Sequence, residues 1–175
     1  NQDGSVQLQV GATEIGQGAD TVFSQMAAET LHMDISRVHI VTQQDTDVTP
    51  FDTGAYASRQ SFVTGTAVKE CAQQLKQKIL EYARTLVPGN VDRLELEDGY
   101  ILADGKPAIS LEDLAMESYY SLSNSSVLTA EVSRQVKKNT VASGCCFAEV
   151  EVDMKLGKIK VLDIVNVHDS GTLLN

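Results

Sequence analysis

The chain has 175 residues, 42% of them hydrophobic and 22% charged, which suits one domain with a real core and is too apolar for a disordered segment. Asp and Glu outnumber Lys and Arg by 24 to 14, and the net charge of −10 excludes general nucleic-acid binding, which needs a basic surplus against the phosphates. No apolar run approaches the ~20 residues of a membrane helix, and Asn1-Gln2-Asp3-Gly4 carries no signal-peptide pattern.

Val6, Leu8 and Val10 alternate with Gln7 and Gln9, the pattern of a half-buried strand. A glycine-rich loop, Gly11 to Gly18, comes next. From Ala19, the residues Val22, Phe23, Met26, Ala27, Thr30 and Leu31 fall at helical spacing and predict a helix to about His32. Ser36 opens a turn, and Val38 to Thr42 reads as a strand, so the first forty residues form a strand–loop–helix–strand unit.

Residues 43–57 are a long polar connection, of the kind that is functional or disordered in a compact domain. A long helix is expected from about Ser58 to Leu86, because Phe62, Ala67, Cys71, Leu75, Ile79, Tyr82 and Leu86 recur every three to four residues and Pro88-Gly89 ends the run. Leu94 to Leu102 is a hairpin turning at Asp98-Gly99, and Asp104-Gly105 marks another turn. Ser110 caps a short helix, Leu111 to Tyr119, with Glu112 and Asp113 in its first turn. Residues 121–140 carry little signal. Ala142 to Val152 and Ile159 to Val167 are antiparallel strands about a turn at Lys155-Leu156-Gly157-Lys158. The fold class is therefore α+β, with mixed or antiparallel strands, and no linker divides residues 1–175 into two domains.

Three cysteines, Cys71, Cys145 and Cys146, are too few for a four-cysteine cluster or zinc ribbon, and the odd count fits a reducing, cytoplasmic setting. Cys145 and Cys146 point to opposite faces of a strand and read as small apolar residues. Asp45, Asp47 and Asp52 lack the glycine and closing glutamate of a calcium loop. His32, His39 and His168 stand at no metal-ligand spacing, so no metal site is expected. Glu14 and Glu149 have the chemistry of general bases, but nothing local pairs either with a nucleophile, and no catalytic residue is assigned.

Two loop-to-helix junctions stand out: Gly11-Ala12-Thr13-Glu14-Ile15-Gly16-Gln17-Gly18 and Gly54-Ala55-Tyr56-Ala57-Ser58-Arg59-Gln60-Ser61. Helix starts cluster free backbone N–H groups and favour anions, so two of them suggest a large, multiply anionic ligand. Gly16-Gln17-Gly18 is either an ordinary loop whose glycines supply positive φ, or a close approach of backbone to ligand with the Gln17 amide beside it. It is not a dinucleotide fingerprint, and no P-loop is present. Ala57 to Ser61 is either a capped helix start with a solvated Arg59 or an anion clamp. Arg59 opposes the helix dipole in a first turn, which fits an anion next to it.

These segments resemble the molybdenum-binding subunit of the xanthine dehydrogenase family, the molybdenum hydroxylases. Gly11 to Gly18 is similar to that family's loop against the pyranopterin, with Gly16, Gln17 and Gly18 at cofactor-contacting positions. Asp45-Thr46-Asp47-Val48-Thr49-Pro50 and Gly54 to Ser61 resemble its second cofactor segment, at the pterin and phosphate end, with Ala57 in place of a usual glycine and Gln60 in place of a frequent serine. Thr64-Gly65-Thr66-Ala67-Val68 continues the likeness. Phe147 to Asp153, Gly157 to Val161 and His168 to Asn175 resemble the family's later hairpin and turn.

The resemblance implies that Gly16, Gln17, Gly18, Ala57, Ser58, Arg59, Gln60, Ser61 and Thr64 bind a molybdenum–pterin cofactor. The Ser58-Arg59 element suits a dinucleotide form such as the cytosine dinucleotide. It implies hydroxylation of a small heteroaromatic substrate, such as a purine, with oxygen from water, and iron–sulfur clusters and FAD on other domains or subunits. A related enzyme acting on aldehydes or carbon monoxide, and a cofactor-free structural domain of the same fold, are the alternatives. The family's catalytic glutamate belongs to a later motif. The chain, without an initial Met and ending after the Asp169-Ser170-Gly171 turn, reads as an excised piece of a larger subunit that is inactive alone.

Overall fold

The structure, a computed structural model, describes residues 1–138 and 140–173. The described residues divide into two compact units, 1–138 and 140–173. The α+β expectation holds, with three helices and seven strands among the described residues.

In the first unit, β1 (Val6–Leu8) pairs in parallel with β2 (Val38–Ile40), Val6 opposite Val38. The connection is α1 (Ala19–Leu31), whose Ala19, Phe23, Ala27, Ala28 and Leu31 are buried. Helix α1 ends where His32 turns left-handed at φ 53°, and Asp98 N–H donates to the His32 carbonyl. Asp34 then caps a 3-10 turn, Ile35–Arg37, by accepting from Ser36 N–H.

The expected long helix is two structures. A π-helical turn covers Gln60–Thr64, and the α-helix, α2, runs Gly65–Leu86. The same apolar spacing serves both, which is why periodicity alone merges them. Val68, Ala72, Ile79, Tyr82 and Ala83 face the core from α2. Gly65 lies against α1, where a Cβ would come within 2.7 Å of Met26 Sδ.

A three-stranded antiparallel sheet, β3 (Leu94–Glu97), β4 (Tyr100–Ala103) and β5 (Lys106–Ser110), completes the core. Positive φ at Asp98 and Gly99, and again at Asp104 and Gly105, gives both connections the pattern of tight hairpin turns. The sequence signals no strand after Asp104-Gly105. Strand β5 forms there nonetheless, and its Pro107 is tolerated because β5 is an edge. Ser110 caps α3 (Leu111–Tyr120), accepting from Asp113 N–H at 3.0 Å. Phe23, Leu31, Leu96, Ile101 and Leu114 are the largest fully buried side chains, so both sheets and all three helices share one core.

The low-signal segment beyond α3 runs back along α2 by polar contacts. Asn124 Nδ2 donates to Thr85 Oγ1, Lys78 Nζ to the Thr129 carbonyl, and Cys71 Sγ to the Ala130 carbonyl, while Arg134 pairs with Glu70.

The second unit is an antiparallel hairpin, β6 (Ser143–Asp153) and β7 (Lys158–Asp169). A bulge at Glu149/Val150 shifts the register, so Ala148, Val150 and Val152 stand opposite Ile164, Val161 and Ile159. Cys145 and Cys146 are successive residues of β6 opposite Val167 and Asn166. Leu174 and Asn175, which end the family-like turn, lie outside the described residues.

Candidate functional site

The first junction leaves β1 and enters α1. Gly11 is obligatory there, because a Cβ would stand 2.3 Å from the Pro50 carbonyl oxygen. The Gln44 amide lies 3.4 Å from both the Val10 and Ala12 carbonyls, so the long polar connection folds back on this loop.

The amides of this junction are not free, contrary to the expectation from sequence. Glu14 Oε1 accepts from Gly16 N–H at 2.6 Å and Gly18 N–H at 3.0 Å, and Oε2 accepts from Asp20 N–H at 3.1 Å. Gly18 is the helix N-cap and has no capping side chain of its own, so Glu14 caps the helix from four residues upstream. Burial alone would raise the Glu14 carboxyl. Bonds from the Asp20, Gly18, Gly16 and Ala19 amides outweigh it and hold the group below the ordinary Glu range. Burial, and then the Glu14 charge, push Asp20 up. Glu14 is thus a cap, not a poised base. Glu149 stands in β6 opposite Asp163.

Gly16 and Gly18 have φ of 101° and 79°, and a Cβ built on either would meet no atom within 4 Å. The loop therefore presents open space above both glycines. Gln17 Oε1 accepts from Ile15 N–H at 2.7 Å, and its Nε2 donates to the Thr13 carbonyl at 3.1 Å and to Gln60 Oε1.

The second junction begins with a turn in which Asp45 accepts from Asp47 N–H through its side chain and from Thr49 N–H through its carbonyl. Asp52 is the hub of the stretch from Gly54 to Thr64. Its Oδ1 accepts from Gly54 N–H at 2.8 Å and from Arg59 Nη1 at 2.7 Å, and its Oδ2 lies 3.5 Å from Thr64 Oγ1. The Arg59 and Asp52 side chains are only 19% and 12% exposed. Arg59 Nη1 also donates to the Gly54 carbonyl, and the guanidinium stands 5.5 Å from the Tyr56 ring centre. The anion beside Arg59 is therefore Asp52, seven residues upstream.

Ala57 and Ser58 both adopt left-handed φ, 50° and 54°. Side chains disfavour that region, and glycine would adopt Ala57's conformation without strain. Ser58 and Ser61 are exposed, while Gln60 and Thr64 are buried within the π-turn.

The two junctions meet at one atom. The Thr13 carbonyl accepts from Gln17 Nε2 and from Gln60 Nε2, the latter at 3.0 Å. Gly16, Gln17, Gly18 and Gln60 thus form one cluster, and Arg59 and Thr64 form a second around Asp52. Ala57, Ser58 and Ser61 lie on the exposed side of the second junction. Ile15, Phe51 and Tyr56, in the same loops, are 69%, 90% and 57% exposed. Sequence reasoning did not single out the Thr13 carbonyl, weighed Asp52 only as a calcium ligand, and left Glu14 without a role. An acidic residue just upstream of an uncapped glycine helix start was the available signal for Glu14. No group of three or more His, Cys, Asp or Glu able to hold a metal occurs among the described residues.

The family model described as "Molybdopterin cofactor-binding domain" matches residues 1–175. The chain is 47% identical to the xanthine dehydrogenase molybdenum-binding subunit of Escherichia coli O157:H7 over 178 residues, covering all of this chain and 24% of that protein. Among solved structures, quinoline 2-oxidoreductase from Pseudomonas putida 86 superposes with a TM-score of 0.76 at 24% identity, over all of this chain and 23% of that one, a likeness of fold. Reconstituted carbon monoxide dehydrogenase from Oligotropha carboxidovorans gives a TM-score of 0.73 at 25% identity, over 98% of this chain and 22% of that one. The chain spans about a quarter of the length of the curated relatives it matches first.

Proposed function

We propose, since this chain belongs to the molybdopterin cofactor-binding domain family, that it forms part of the cradle for a molybdenum–pterin cofactor. The whole protein is then a xanthine dehydrogenase-type hydroxylase that oxidises purines or related heterocycles with water-derived oxygen. The observation that carries this reading is the meeting of both junctions at the Thr13 carbonyl, beneath glycines open to solvent.

The residues present fit such a group. A flat, uncharged ring system needs close backbone approach and in-plane amides. The space above Gly16 and Gly18 supplies the first, and Gln17 supplies the second. In this reading Gly16, Gln17 and Gly18 take the ring end. Ala57, Ser58, Arg59, Gln60, Ser61 and Thr64 hold or shape the phosphate end, including that of a dinucleotide form. Both described bonds of Arg59 use Nη1, which leaves its fork turned by Asp52 in one fixed direction. When bound, the molybdenum–dithiolene centre supplies the oxidation, and the protein supplies position. Within this chain the residues bind and orient, and none acts as catalytic acid or base, so the chain alone is inactive.

The same reading assigns both compact units, residues 1–175, to one domain of a larger molybdenum subunit. It assigns iron–sulfur and flavin groups to other domains or subunits, and a cytoplasmic setting. No helix among the described residues is long and apolar enough to cross a membrane.

A second reading, a cofactor-free scaffold, is favoured by one feature: Glu14 and Asp52 already satisfy the amides and the arginine that an anion would need. Molybdenum and organic-phosphate analysis of the full-length protein from its own host separates the two. Stoichiometric molybdenum and phosphate, lowered in Gln17→Ala and Arg59→Ala, supports the cradle. Neither element in the wild type would leave the scaffold reading standing. Aldehyde or carbon monoxide as substrate is decided by assay of that loaded protein against purines.

A further inference from the structure

Of the polar groups at the two junctions, Glu14 makes the most bonds to backbone donors, and a cofactor cradle has no evident need of a carboxylate there. The Gly16, Gly18 and Asp20 amides are the donors that a phosphate at the start of α1 would require. Each carries one hydrogen, and each gives it to the chain's own carboxylate. The half-charge of the helix end is thereby neutralised from inside, while the outer side of Gly16 and Gly18 stays open. The loop so held exposes Cα surface and the Gln17 side-chain amide, with the Gly16, Gly18 and Asp20 N–H groups turned to the Glu14 carboxylate. At the second junction the corresponding carboxylate, Asp52, is paired with the Arg59 guanidinium, so its negative charge is balanced there, whereas that of Glu14 faces backbone amides only.

We propose that Glu14 is a positioning residue that sets the polarity of the cradle. By accepting from the Gly16, Gly18 and Asp20 amides it rejects phosphate at the first loop, so the loop receives the uncharged ring end of the cofactor and the phosphate end lies at Arg59. This rests on the cradle reading above. The geometry also separates charge from shape. Glu14→Gln keeps an oxygen where Oε1 accepts from Gly16 and Gly18, and places an NH2 against the Asp20 amide. Glu14→Ala removes all three bonds.

The test is residue-resolved hydrogen exchange on the full-length, cofactor-free protein with inorganic pyrophosphate as probe. In Glu14→Ala, exchange at the Gly16, Gly18 and Asp20 amides rises by more than about tenfold, since a charge-assisted bond is worth at least that factor. Added pyrophosphate restores protection at those amides in Glu14→Ala and changes nothing there in wild type. Glu14→Gln retains protection at Gly16 and Gly18 and loses it at Asp20. A simple structural prop would give the same loosening but no rescue by the probe. Unchanged exchange in Glu14→Ala, no rescue by pyrophosphate, or equal protection of the wild-type loop by pyrophosphate would each overturn the proposal. If Glu14→Ala fails to fold, Glu14→Gln decides in its place: pyrophosphate restores protection at the Asp20 amide in that variant, and no rescue there overturns the proposal. Absence of molybdenum from the wild-type protein would sink the cradle reading, while the exchange pattern would still report on Glu14.

Discussion

Asp52→Ala should loosen the second junction by an amount the geometry fixes. The carboxylate accepts from Gly54 N–H and Arg59 Nη1 at 2.8 and 2.7 Å, with Thr64 Oγ1 at 3.5 Å. Exposed ion pairs contribute ~0–1 kcal/mol, whereas breaking a buried pair costs ~3–5 kcal/mol. With 12% and 19% of the two side chains exposed, this pair sits nearer the buried case. Arg59 keeps the Gly54 carbonyl at 2.9 Å and the Tyr56 face, which offsets part of the loss. The expected cost is about 2 kcal/mol, or about thirtyfold faster exchange at the Gly54, Arg59 and Val63 amides. The double variant Asp52→Ala/Arg59→Ala should then be less perturbed than the sum of the singles by at least ~1 kcal/mol. Additivity within ~0.5 kcal/mol would refute the argument, because it would mean that the pair does not interact in solution.

Ala57→Gly should slow exchange at Arg59 about two- to fivefold, since relief of ~1–2 kcal/mol of left-handed strain exceeds the ~0.4–1 kcal/mol of added chain entropy. Gly11→Ala should displace the 43–57 connection at a cost of about 1–3 kcal/mol, seen as lost protection at Thr49 and Gly54, because the obstruction is Pro50 backbone and not a flexible side chain. Phe23→Ala, at a fully buried site, should cost about 3–5 kcal/mol in unfolding by denaturant. Acidification should open the first loop. Glu14 is held below its ordinary value in the fold, so its contribution is present above the unfolded carboxylate range and is lost as pH falls through the lowered value. Asp20 shifts the opposite way, so its own protonation as pH falls relieves an unfavourable charge and offsets part of that loss.

The sequence carried the elements well where local chemistry decides them. Asp98-Gly99 announces its hairpin because both positions need positive φ, and Ser110 announces α3 because its hydroxyl has an amide three residues on. Strand β5 was hidden, because Pro107 argues against a strand and only its edge position permits it. The π-turn was hidden because Gln60 to Thr64 keeps helical spacing, and the partners of its side chains lie elsewhere in the chain: Gln60 with Thr13, and Thr64 with Asp52. At the site, residue types pointed to the right loops, but local sequence could not say which partner each polar group would find. Arg59 looked like half of an anion clamp, and its anion turned out to come from within the chain. The amides of Gly16 and Gly18 are taken by Glu14 from within the same loop, and the loop conformation that turns its carboxylate onto them follows no periodicity of the sequence.

The measurement that tests the cradle most directly is hydrogen exchange of the full-length protein, compared between its molybdenum-loaded and cofactor-free forms. The account predicts slower exchange in the loaded form at two separated stretches, Gly16 to Gly18 and Ala57 to Ser61, with no change in the β3–β5 sheet. Protection confined to other parts of the protein, with both stretches unaltered, would contradict it.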